Sequence, residues 1–146
     1  MISFDSGVRP FQPANGLKIK SWLINVIEAE RKKTGNIHYT FLSDEELLVM
    51  NQQYLNHDYF TDIITFPLSA SDDIISGEIF ISIDRVADNA KQNSVDFNNE
   101  LFRVLVHGIL HLIGYDDHSD EEKAVMREKE NFYLKLIEKN ISRETL

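Results

Sequence analysis

Apolar residues recur along the chain with two periods, and the switches between them mark out the elements. In "NGLKIKSWLINVIEAERKK" (15–33), Ile19, Leu23, Val26, Ile27 and Glu30 fall about one helical turn apart. That spacing predicts an amphipathic helix, with Trp22 on its apolar face as a core residue. Asn15 is placed to cap its start, Arg31, Lys32 and Lys33 suit the negative end of its dipole, and Gly35 suits its stop. "NIHYTFL" (36–42) alternates instead: Ile37, Tyr39 and Phe41 point one way, His38 and Thr40 the other, as a strand requires. His38 is read as a surface or packed residue. Ser43 with Glu46 forms a capping box that opens a helix through about Tyr54. "YLNHDYFTD" (54–62) is a loop, "IITFP" (63–67) a short buried strand ended by Pro67, and "SASDDIISG" (69–77) a turn region. "EIFIS" (78–82) is a further strand, and residues 2–4 another. Helices are expected at 84–93, 97–113 and 120–139, the last opened by a second capping box, Ser119 with Glu122. The charge run "SDEEKAVMREKE" (119–130) reads as a solvated helix face. About four strands and five helices predict an α+β (α/β-like) class: a single domain, 1–146, with one mixed sheet packed with helices.

Composition narrows the function classes. A chain of 146 residues, 42% of them hydrophobic, is long enough to bury a sizeable core. No apolar run reaches 18 residues, and "MISFDSGVRPFQP" shows no basic segment followed by an apolar one. Neither a membrane span nor a signal peptide is expected. Cysteine is absent, which excludes disulfides and thiolate ligands and is compatible with a cytoplasmic location. Any metal must then be held by nitrogen and oxygen. The net charge of −9 repels polyanions at long range. Binding to RNA would need a local basic stripe, with Arg103, Lys18, Lys20 and Arg85 as its candidates.

The candidate chemistry lies in "ELFRVLVHGILHLIGYDDHSD". From Leu101 to Ile113 nearly every residue is apolar, so this helix is buried. Arg103, His107 and His111 stand at i, i+4 and i+8, which makes one polar stripe on an apolar cylinder. Unpartnered buried polar groups are costly, so the stripe must face a cleft, a partner or an ion. Histidines at i and i+4 can place two imidazole nitrogens on one metal, although hydrogen-bonded core histidines would satisfy the same pattern. Gly114 ends the helix and lets the chain swing back. Asp117 lies six residues after His111 and His118 seven. The spacing after Gly114 favours Asp117 as third ligand; imidazole's better match to zinc favours His118. Three protein ligands leave a fourth position open, as catalytic sites do.

In peptidases with H-E-x-x-H the residue after the first histidine is the general base. Here it is Gly108, which removes that base and opens space beside the metal. A phosphodiester is then a fitting electrophile, and Arg103, one turn before His107, is a candidate phosphate contact. It is equally a candidate ion pair with Glu100 or a carboxylate on another element. In the loop, His57 or Asp62 can wall the cleft and reach substrate, while Asp58 reads as turn chemistry.

"HGILHLIGYDDH" resembles the H-G-x-L-H-L-x-G-Y-D-H signature of the YbeY family, endoribonucleases implicated in ribosomal RNA maturation. "NQQYLNHDYFTDIITFP" (51–67) resembles the family's N-x-x-Y…D-x-x-T-D-V-x-S-F-P segment, and "SGEIFIS" its L-G-D-I-x-I-S strand. The resemblance implies a compact mixed-sheet domain with one zinc ion per chain, His107 and His111 being its first two ligands. It further implies cleavage of single-stranded RNA, with ribosomal RNA and the small ribosomal subunit as partners. The expected roles are maturation of the small-subunit 3′ end and quality control of ribosomes. Neither DNA nor membrane is expected as a partner. The chain departs from the pattern at Asp117, where the family carries its third histidine. It departs also at Leu55, where some members carry arginine, and at Glu78, where aspartate is usual. Two other readings stand beside this one: a metal-dependent hydrolase of another substrate, and a non-catalytic ribosome- or RNA-binding factor whose metal is structural.

Overall fold

The computed structural model describes residues 1–56, 61–69 and 71–142, and these hold four strands and five helices. They are β1 (Ile2–Ser6), α1 (Gly16–Ala29), β2 (Lys33–Leu42), α2 (Asp44–Leu55), β3 (Ile63–Pro67), β4 (Ile74–Ser82), α3 (Ile83–Gln92), α4 (Phe97–Ile113) and α5 (Asp120–Ser142). The strands form one sheet in the order β1-β2-β4-β3. β1, β2 and β4 run parallel, and β3 runs antiparallel to β4 at the edge. The class is α+β with a mixed sheet.

The period-2 alternation sets the two faces. Ile37, Tyr39 and Phe41 on β2 stand with Ile75, Ile79 and Ile81 on β4, all buried. Against this face pack α1 and α4, and α5 packs on those two helices, so that the apolar stripes of all three complete the core. Trp22 lies in it, its indole N–H bonded to the Tyr133 carbonyl at 2.9 Å. The Tyr39 hydroxyl, fully buried, donates to the Leu105 carbonyl at 2.7 Å and pins α4 to the centre of the sheet. α2 covers part of the opposite face, where its Tyr54 ring meets Phe66 of β3.

Three local expectations are corrected by tertiary pairing. α1 ends at Ala29, because Arg31 takes a left-handed conformation (φ 63°) and Lys33 already pairs with β4. Arg31 to Lys33 therefore lie beyond its last turn, and Gly35 sits inside β2, packed close to Ser76 and Ile75. Asn15 is itself left-handed (φ 61°) and makes no side-chain cap bond. β4 begins at Ile74, not Glu78: residues read as turn are drawn into strand by their parallel partner. Both capping boxes form as the pattern predicts.

Candidate metal centre

α4 is apolar on nearly every side and lies in the core, with Leu101, Leu105, Ile109 and Leu110 essentially inaccessible. Its polar stripe opens at one edge. His107 and His111 are about one-fifth exposed there, and their rings meet edge to face at 4.5 Å. Gly114 then takes φ 126° and ends the helix, a conformation that side chains resist. The chain folds back and delivers Asp117. Its Oδ2 lies 3.4 Å from Nε2 of His107 and 3.6 Å from Nε2 of His111. The three side chains form one group with ligand atoms within 4.8 Å of one another. His118 is exposed and outside that group.

These separations fit a metal better than direct hydrogen bonds. Zinc bound by nitrogen and oxygen at about 2.1 Å in a tetrahedron sets its ligand atoms roughly 3.4 Å apart. Hydrogen-bonded N and O atoms sit closer, near 2.9 Å. Two imidazoles and one carboxylate are also a usual donor set for zinc.

The tautomer is set from behind. Nδ1 of His107 lies 2.6 Å from Oε2 of Glu130, and Oε1 of Glu130 accepts from Nη1 of Arg103 at 2.8 Å. With its Nδ1 proton held by a carboxylate, His107 presents the Nε2 lone pair, the arrangement that orients a histidine ligand. Glu130 belongs to the stretch read as a solvated face, yet it is 5% exposed. A signal for it existed. It falls on the stripe Met126, Glu130, Tyr133, Leu134 and Ile137, every other member of which is buried and apolar.

Glu130 also fixes the place of Arg103, whose Nη2 bonds Oδ1 of Asn131 at 2.9 Å. The arginine is thus the ion pair with another element, and Glu100 instead accepts from Asn93. Nor do the candidate cations gather into a stripe. Arg85 pairs with Asp44 at 2.5 Å and Lys20 lies over the Phe4 ring. Two cations, Arg103 and Arg127, lie on the side of His107. They line a polar cleft of about 290 Å³ with Asp62, Glu100, His107, Asp117 and Glu130.

Gly108 does not open space beside the ligands. A Cβ there would stand 3.0 Å from Ile63 and Ile79, so the glycine faces the sheet and permits its close approach to α4. The position that carries a peptidase base is here a packing position.

The field in the cleft is uneven. Burial raises the Asp62 carboxyl above its ordinary value, against the pull of nearby His107. Burial likewise raises Glu100. Glu130 is held below the usual carboxylate range despite its burial, because His107 and Arg103 both donate to it. That carboxylate in turn raises His107 against the opposing effect of burial, while burial and the neighbouring His107 charge lower His111. His57 and Asp58 lie outside the described residues. Leu55 ends α2 and is 40% exposed.

The sequence model described as Endoribonuclease YbeY matches residues 12–138. The chain belongs to the YbeY family. It is 46% identical over 137 residues to an Endoribonuclease YbeY of Flavobacterium psychrophilum, covering 94% of this chain and 96% of that one. It is 47% identical over 119 residues to the Endoribonuclease YbeY of Parabacteroides distasonis, covering 82% and 83%. A solution structure of a protein from Thermotoga maritima superposes with a TM-score of 0.66 at 29% identity, covering 99% of this chain and 93% of that one. In this YbeY-family chain the third member of the group that could hold a metal is a carboxylate, Asp117, beside the two histidines of α4.

Proposed function

We propose that the chain is a zinc-dependent endoribonuclease that cuts single-stranded RNA and binds one zinc per chain through His107, His111 and Asp117. The observation that carries the reading is this cluster in a chain of the YbeY family: two Nε2 atoms and a carboxylate oxygen at metal-ligand spacing. Held by His107, His111 and Asp117, zinc would supply Lewis acidity for phosphodiester hydrolysis.

The protein's own groups supply the rest. Glu130 keeps the His107 proton on Nδ1, so that Nε2 stays free to ligate. Asp62 stands on the cleft wall with its carboxyl raised by burial, which suits it to take the proton that the attacking water gives up. Arg103 commits Nη1 and Nη2 to Glu130 and Asn131. Its further guanidinium N–H donors, with those of Arg127, are available to a phosphate oxygen at the cleft mouth. Three protein ligands leave a position for substrate, and the exposure of His118 keeps it open. That openness favours catalysis over a structural metal, while the packing role of Gly108 weighs against a peptidase.

The biological substrate is ribosomal RNA on the small ribosomal subunit, with maturation of the 3′ end and ribosome quality control as the roles and the cytoplasm as the compartment. A net charge of −9 gives little long-range attraction for free RNA or DNA, so the ribosome delivers the substrate. No helix among the described residues is long and apolar enough to cross a membrane. The test compares wild type with His107→Ala, prepared identically, on small subunits carrying precursor RNA at low salt. Wild type should cut single-stranded precursor, lose the activity on chelation, regain it with zinc, and leave casein intact. Equal cleavage by the two proteins would indicate a contaminating nuclease and favour the non-catalytic ribosome factor.

A further inference from the structure

The turn that carries Asp117 has few tethers of its own. Up to Tyr115 the backbone is held by α4, since the N–H groups of Gly114 and Tyr115 both bond the Leu110 carbonyl, at 3.1 and 3.0 Å. The next backbone-to-backbone bond begins at Ser119, inside the first turn of α5. Between them, among the described residues, no such bond holds residues 116–118. The direction in which Asp117 points therefore depends on side chains at the two ends of the turn. Downstream the tether is the Ser119–Glu122 capping box. Upstream it is Tyr115, whose hydroxyl donates to Oε1 of Glu30 at 2.5 Å.

Glu30 follows α1 directly, and its side chain is 8% exposed. Besides Tyr115, it accepts from Lys129 at 3.1 Å and from the Tyr133 hydroxyl, both on α5. The Lys129 ammonium also lies 5.6 Å from the centre of the Tyr115 ring. Packing does not explain a carboxylate here. Glu30 continues the stripe of Ile19, Leu23, Val26 and Ile27, all buried and apolar, and a hydrophobic residue would serve that stripe without the cost of burying a charge. What the carboxylate adds is a fixed acceptor that ties three donors to one point. One donor belongs to the ligand-bearing turn. The other two belong to the same stretch of α5 that sends Glu130 to His107.

We propose that Glu30 is a positioning residue for the third metal ligand: through the Tyr115 hydroxyl it fixes the turn after α4 so that Asp117 meets His107 and His111. The inference rests on the metal-centre reading and extends it to a residue just past α1, 77 positions before the first ligand. Loss of such an outer partner typically weakens metal binding by about 10- to 100-fold.

The test uses Co(II) as the probe, read by its visible absorption in wild type, Glu30→Gln, Tyr115→Phe, Asp117→Ala and the double variant Glu30→Gln/Asp117→Ala. Affinities are measured where circular dichroism shows the native fold. Glu30→Gln should weaken Co(II) about 10-fold or more and alter the spectrum, and Tyr115→Phe should act in the same direction. In the Asp117→Ala background, where the two histidines alone remain, Glu30→Gln should change affinity less than about 3-fold, because the ligand it positions is already gone. A merely structural Glu30 would weaken both backgrounds by the same factor, and that result overturns the proposal. So does wild-type affinity in either folded single variant. If Glu30→Gln does not fold, Tyr115→Phe alone and in the Asp117→Ala background carries the same comparison. A wild-type protein that binds no Co(II) would instead overturn the metal centre itself, and the positioning role with it.

Discussion

Replacing Glu130 with glutamine isolates the part of the centre that lies behind the ligands. The side chain keeps its size but trades one acceptor oxygen for an NH₂ donor. In the native protein both oxygens accept, one from Arg103 at 2.8 Å and one from the His107 ring at 2.6 Å. If the amide oxygen stays with Arg103, the NH₂ faces Nδ1 of His107 and drives the ring proton to Nε2, the atom needed for the metal. If the amide flips, its NH₂ faces the guanidinium and two donors oppose each other. The carboxylate is 6% exposed, so water relieves neither conflict. Outer-partner losses of this kind cost about 10- to 100-fold in metal affinity, or roughly 1.4–2.8 kcal/mol. Loss of one charged hydrogen bond should also lower the stability of the metal-free protein by about 1.5–3 kcal/mol. The assay is competition for zinc against a chromophoric chelator, with thermal melts in EDTA run in parallel. A folded Glu130→Gln protein that holds zinc as tightly as wild type would refute the claim that Glu130 sets the His107 tautomer.

Asp117→Ala should lower zinc affinity far more than His118→Ala, measured by the same competition, because Asp117 and not His118 is grouped with the two histidines; the reverse order would mean that the turn presents His118. Gly108→Glu should lower the melting temperature sharply, by the equivalent of about 3 kcal/mol or more, since it drives a carboxylate into the Ile63 and Ile79 contact. It should bring no casein hydrolysis, and a stable variant with peptidase activity would contradict the packing role. Acid should destabilise the fold through Glu30 and Glu130, both held below their ordinary value of 4.5 by the groups that donate to them. The stability each adds is complete above that value and is lost as pH falls through its lower folded value. Urea unfolding from pH 6 down to about pH 3 should therefore show a shallower loss for Glu30→Gln than for wild type, and parallel curves would deny Glu30 that contribution.

Most of the candidate metal-binding group was legible because it lies on one helix and the turn that follows. Side chains at i and i+4 share a face whatever surrounds the helix, and a glycine that ends a helix acts locally; the pairing of His107 with His111 is readable on those grounds, whereas the spacing left Asp117 and His118 both open until the fold placed Asp117 beside the two rings. Glu30 and Glu130 were legible only in part. Each is visible as a lone carboxylate on an otherwise apolar stripe, which identifies the face it occupies and not the element that will cover it. The ends of α1 and β4 escaped for a related reason. Lys33 and Ile74 are strand because they pair with each other, 41 residues apart in the chain, and no local propensity encodes a partner.

Helix and strand periods, the caps at Ser43 and Ser119, and the stop at Gly114 follow from the sequence by itself, because they arise from contacts within a few residues of chain. Only the tertiary structure decided that Gly108 faces Ile63 and Ile79, that Arg103 is paired with Glu130, and that Glu30 meets Tyr115. These depend on which surfaces meet when α1, α4 and α5 close over one face of the sheet. That choice is made by burying apolar area across the whole core, a non-directional force that selects neighbours by shape rather than by position in the chain.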